Sequence, residues 1–149
     1  MNYTVLRGEI STDPLGRNYV AMSDVEVVSS LNTADRAIRQ LVPLWQVKKT
    51  AIEEGCWLAI QAAVADESKS EQVRGAAAIA VDYINDQRFQ NLDMDLTSTQ
   101  QMLGALVVGG VITAAQSATL DALADGVISR AEEIGLAGVR VGDVQRART

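Results

Sequence analysis

At 149 residues the chain has the size of one ordinary domain, able to bury about 68–70% of its unfolded surface. It is 48% hydrophobic but 4% aromatic, with the apolar share carried by Ala, Val, Leu and Ile, which suits close helix packing better than a β-sandwich. A net charge of −6 disfavours nonspecific binding to nucleic acid or anionic lipid, and the absence of histidine removes the commonest general base, metal ligand and pH switch.

In chain order, Met1–Ile10 lacks the basic start, apolar run and small-residue cleavage site of a secretory leader, so synthesis in the cytoplasm is expected. Tyr3 to Ile10 reads as a short helix stopped before Pro14, and Asp13-Pro14-Leu15-Gly16 reads as a turn. Ser23 and Glu26 have capping-box spacing, which predicts a helix over Asp24–Leu31 with Val25 and Val28 inward. Thr33–Val42 reads as an exposed connection leading to a helix from Pro43 to about Glu54. A short apolar helix, Trp57–Ala65, comes next, then a charged linker around Asp66–Lys69. Ser70 caps a central helix, Glu71–Asn85, whose Val73, Ala76, Ala77, Ala80 and Ile84 fall at helical spacing. Asp86–Asp95 reads as a surface connection with Phe89 and Leu92 turned inward.

The last third carries three capping-box spacings, Thr97 with Gln100, Thr113 with Gln116 and Ser129 with Glu132, each predicting a short helix. Gly109-Gly110, Gly126 and Gly135 are the expected terminators, and Gly138–Val141 is expected to be extended before a final turn. Leu96–Leu120 holds no charged residue, but its polar flanks and the Gly109-Gly110 break predict a buried helical hairpin and no membrane span. The expected fold is mainly α, a compact single-domain bundle of six to seven short helices over residues 1–149. Residues 1–22 read as an N-terminal arm and 137–149 as a C-terminal tail.

No set of reacting groups stands out. Asp93 and Asp95 lack the further oxygen ligands of a calcium loop. Glu53-Glu54 and Glu132-Glu133 are neighbours on helices and diverge, and Ser129 has no base to activate it beyond its capping role. Gly104, Gly109 and Gly110 lack the lysine and hydroxyl of a phosphate loop. Leu106–Leu123 has helix-turn-helix proportions without Arg or Lys in its second helix. Cys56 reads as a small core residue. The sequence therefore predicts no enzyme, no catalytic residue, no cofactor and no metal. Arg17 and Tyr19 are candidates for an interaction surface, because a turn can present an aromatic and a guanidinium together. Tyr19 reads first as an anchor of the loop to the core, with the interaction role as the alternative. Arg140, Arg146 and Arg148 form a basic end that reads first as solvated surface, with contact to an acidic partner as the alternative.

The pattern Asp13-Pro14-Leu15-Gly16-Arg17-Asn18-Tyr19, with Met22-Ser23-Asp24 and Leu31-Asn32, resembles the opening of a family of small proteins of tailed bacteriophages. Ile128-Ser129-Arg130-Ala131-Glu132-Glu133-Ile134-Gly135-Leu136, then Val139, Val141-Gly142-Asp143-Val144 and Arg148, is similar to that family's closing stretch. The resemblance implies a virion or assembly component contacting other phage virion proteins, present in repeated copies within a symmetric assembly. A different expectation for an acidic phage protein of this size is an inhibitor of a host defence system that blocks a basic groove.

Overall fold

Nine α-helices and four short strands make up the chain, which a computed structural model describes over residues 1–149. The mainly α expectation holds, while the helix count exceeds six to seven; the stretch expected as a final turn is a full helix, Val141–Arg148. The chain falls into two compact units: unit 1 is Met1–Ile38 with Val127–Thr149, and unit 2 is Arg39–Gly126. Their hydrophobic cores share no residue.

Unit 1 begins with α1 (Tyr3–Thr12), whose first turn is capped by the Asn2 side chain accepting from the Val5 amide. The helix stops at Asp13, which takes the left-handed conformation at φ 42°. The Asp13 carboxylate accepts from the Arg17 amide at 2.8 Å and from the Asn18 amide, so one side chain closes the predicted turn. After a 3-10 turn at Tyr19–Ala21 comes α2 (Asp24–Asn32), opened by the full Ser23/Glu26 capping box. Strand β1 (Ala34–Arg39) occupies the stretch expected to be an exposed connection, and it pairs with β4 (Asp125–Ser129). Neither strand has the alternation of large apolar residues that marks a half-buried strand, which is why both escape a pattern search.

The Ser129/Glu132 capping box starts the four-residue helix α8 (Arg130–Glu133), ended by Gly135 at φ 76°. The final helix is α9 (Val141–Arg148), started where the Asp143 carboxylate accepts from the Arg140 amide. The expected extended stretch forms no strand. Instead the Asn32 amide group imitates strand pairing: it donates to the Val139 carbonyl at 2.7 Å and accepts from the Val139 amide at 2.9 Å. Residues 1–22 and 137–149, read from sequence as an arm and a tail, supply Leu6, Ile10, Tyr19, Val139, Val144 and Ala147 to one core with Val27 and Leu31.

Unit 2 holds α3 (Leu44–Glu53), α4 (Trp57–Ala63), α5 (Glu71–Asn85), α6 (Thr97–Val108) and α7 (Ala114–Asp121). Two short strands, β2 (Val42–Pro43) and β3 (Asn91–Leu92), pair antiparallel with Val42 opposite Leu92. The central helix α5 buries Val73, Ala76, Ala77 and Ala80, the small-residue face read from the sequence. Its alanines admit close neighbours, and so does Gly109 at the end of α6: a Cβ there would lie 2.6 Å from both Val73 methyl groups. The Lys69 ammonium donates to the Gly109 carbonyl at 2.8 Å, placing a cation at the negative end of α6. Thr97 does not cap α6. The cap position is Leu96, and the Gln100 side chain instead donates to the Met94 carbonyl and to Asp121. No helix is long and apolar enough to cross a membrane.

Candidate interaction surface

Four of the five residues picked out from sequence are bound within unit 1. Tyr19 is 0% exposed, in its role as a core anchor, and burial pushes its phenol above the usual tyrosine range. Arg17 donates to the Ser30 carbonyl at 2.6 Å and to both oxygens of Asp35 at 2.9 Å, joining the turn to the last turn of α2 and to β1. A guanidinium beside the last carbonyls of α2 also meets the negative end of the helix dipole. Arg148 bonds Asp24 at 2.6 Å and the Tyr19 and Met22 carbonyls, fastening the end of α9 to the start of α2. Arg146 donates to the Tyr3 hydroxyl at 3.1 Å and lies over its ring. Arg140, Arg146 and Arg148 are all exposed; Arg148 is ion-paired to Asp24, and Arg140 and Arg146 make no ion pair. The turn therefore does not present Tyr19 outward with Arg17, while the three arginines of the basic end lie at the surface.

Several charged groups elsewhere are also paired. Glu9, 5% exposed, receives a two-pronged bond from Arg130 at 2.6 and 2.8 Å, and Arg130 continues to Glu133 at 2.8 Å. Glu133 is shared with Arg36, and hydrogen bonds from the two guanidiniums lower its carboxyl to about 2. In unit 2, Arg39 binds Asp95, Asp121 and Asp125 at 2.9, 2.9 and 2.7 Å, and the three carboxylates hold its pKa above the usual arginine range. Cys56 is buried, and desolvation pushes its thiol up, away from the reactive thiolate. No three His, Cys, Asp or Glu side chains converge as a metal-binding group.

The surface feature that remains is apolar. In unit 2 a groove of about 240 Å³ is lined by α5, the start of α6 and the β3 segment. Ile79 and Tyr83, one turn apart on α5, face it with Leu96 and Met102, and Leu41 and Phe89 complete it. Ile79, Leu41 and Leu96 are 52, 57 and 50% exposed, and Tyr83 and Phe89 are 37 and 45% exposed. The two rings stack with centroids 4.6 Å apart. Single exposed apolar residues are normal on any protein, but five large ones around one concavity are a patch that marks an interaction site.

Sequence reasoning misses this groove for two reasons. Phe89 was expected to turn inward with Leu92, yet only Leu92 does. Ile79 and Tyr83 lie beside the Val73–Ala80 stripe instead of on it, and the signal was the width of the apolar surface on α5, greater than one buried face requires. Comparison with known protein families, curated proteins and solved structures found no match.

Proposed function

We propose that this chain is a non-enzymatic virion structural or assembly protein of a tailed bacteriophage, associated with capsid, neck or tail and acting through protein–protein contacts. The observation that carries the reading is the exposed apolar groove of unit 2. The terminal motifs that resemble a phage family add the setting: synthesis in the host cytoplasm, then incorporation into particles in repeated copies beside other virion proteins. Those motifs support unit 1 from within, through the Asp13 turn, the Ser129 cap and the Arg130 and Arg148 bonds, so their role in this reading is to hold a fold.

A defence-inhibitor reading draws on the acid excess of unit 2, which holds six cationic and eleven acidic residues, a net −5. Nucleic-acid mimicry needs free carboxylates in an array, and three of those eleven are gathered onto Arg39. Mass spectrometry of purified particles of the encoding phage, with copy number measured against the major capsid protein, tests the proposal. A fixed copy number matching a symmetric position is expected, whereas abundant protein in infected cells with none in particles overturns it.

A further inference from the structure

We infer that the groove of unit 2 takes an amphipathic helix of another protein, one whose apolar stripe is flanked by Lys or Arg. The inference names the partner chemistry for the contact surface proposed above and rests on that reading of the protein as one that works through protein contacts.

The shape comes first. The groove runs along two helices, with Ile79 and Tyr83 spaced by four on α5 and Ser98 and Met102 spaced by four on α6. Buried Leu92 and Thr99 lie beneath them. Its volume of about 240 Å³ falls below the roughly 300–1,000 Å³ of small-molecule sites and suits a few inserted side chains. A helix offers such anchors at i, i+3 or i+4, and i+7 along one face. The stacked Tyr83 and Phe89 supply broad apolar contact at little cost in side-chain entropy.

Charge then decides the occupant. No Lys or Arg lines the groove; its one charged lining residue is Asp93, which has no ion-pair partner. Asp82, between Ile79 and Tyr83 on α5, is exposed and also unpaired. The surrounding unit carries −5. A second copy of this chain, at −6, would approach against like charge, whereas a basic amphipathic helix meets complementary charge at the rim and apolar surface in the groove.

The test uses the full-length chain and two synthetic peptides of about 14 residues, roughly four helical turns, one of Leu and Lys at amphipathic spacing and one with Glu in place of each Lys. Fluorescence anisotropy of the labelled peptides reads binding. The Leu/Lys peptide is expected to bind and the Leu/Glu peptide not. Ile79→Asp should weaken the Leu/Lys peptide at least about 10-fold, as a lost hot-spot side chain does, and Asp93→Asn should weaken it about 3-fold. Ile79→Asp also adds negative charge, so simple electrostatic attraction predicts tighter binding; equal or tighter binding by that variant overturns the inference. Should Ile79→Asp misfold by circular dichroism, Leu96→Asp replaces it, because Leu96 is the N-cap of α6, where an acid is favoured. Binding of neither peptide, or of both alike, overturns the inference, as does concentration-dependent dimerisation of wild type that Ile79→Asp abolishes. The particle measurement is separate: presence in particles with no groove binding removes only this inference, and absence from particles with groove-dependent binding removes only the virion setting.

Discussion

Unit 1 and unit 2 solve the same problem, burying an apolar core between helices, with different side-chain chemistry. Unit 1 carries seven cations, all arginine, against eight carboxylates, and threads them through its structure. Its Arg130–Glu9 pair is almost sealed from solvent, with side-chain exposures of 13 and 4%. Its buried apolar cluster is ten residues, half the twenty of unit 2. Unit 2 holds every lysine in the chain, keeps its ion pairs at the surface and packs an aliphatic core around α5. Where the apolar core is small, planar guanidiniums that bind carboxylates and helix-end carbonyls by two or more hydrogen bonds supply the remaining cross-links. Where the core is large, the surface is free to carry an excess of acid and an uncovered apolar groove.

The contrast can be broken most directly at Arg130. Replacing it by Leu strands the buried Glu9 carboxylate and is expected to destabilise unit 1 by about 3–5 kcal/mol, while the double change Arg130→Leu with Glu9→Leu should recover most of that loss. Urea unfolding followed by two probes reads the outcome by unit, since Trp45 and Trp57, the only tryptophans, both lie in unit 2. Far-UV circular dichroism should show an early transition that tryptophan fluorescence does not. Coincident curves that shift together would mean the two cores unfold as one, and the contrast would then be one of composition without thermodynamic meaning.

Acid should act next. Glu133 is held at about 2 in the folded state against an ordinary value of 4.5, so its contribution is complete above about pH 4.5 and is lost as pH falls toward 2. Glu26 and Glu132, lowered by their serine caps, and Asp143, lowered first by the Tyr3 hydroxyl, act in the same direction and also belong to unit 1. In unit 2 the lowered carboxylates are Asp66 and Asp86. Between pH 4.5 and 2.5 helicity should decline before the tryptophan emission of unit 2 shifts. An emission shift at the higher pH reverses the assignment.

The smallest effect sharpens the other half of the comparison. Unit 2 contains a small apolar pocket of about 30 Å³ lined by Val47, Ala51, Ile60, Ala80 and neighbouring side chains. Val47→Ile adds one methylene toward it and should stabilise unit 2 by about 0.8 kcal/mol, seen as a higher urea midpoint in tryptophan fluorescence. A lower midpoint would show that this core is already filled and resists the added volume.

Local chemistry was legible in the sequence wherever one or two neighbouring residues decide a conformation. The Ser23/Glu26, Thr113/Gln116 and Ser129/Glu132 boxes are all present, and Gly110 and Gly135 take the positive φ expected of terminators. The Thr97/Gln100 spacing failed because the helix starts one residue earlier, with Leu96 as its cap, and the Gln100 side chain donates to the Met94 carbonyl and the Asp121 carboxylate instead of accepting from a cap amide. The candidate surface shows the same limit. Arg17, Tyr19 and Arg148 carry groups that suit an interface, but partners 13 to 129 positions away claim them.

By itself, then, the sequence determined a mainly helical chain, its caps and turns, and the small-residue face of α5, because these follow from dihedral preferences and hydrogen bonds within a few residues. Tertiary structure alone decided that the chain divides at Ile38/Arg39 and Gly126/Val127, that Asn32 imitates a strand for Val139, and that Ile79 and Tyr83 remain uncovered beside Phe89. Each of those depends on which distant residue arrives first at a donor, an acceptor or an apolar surface, and spacing along the chain carries no record of that competition.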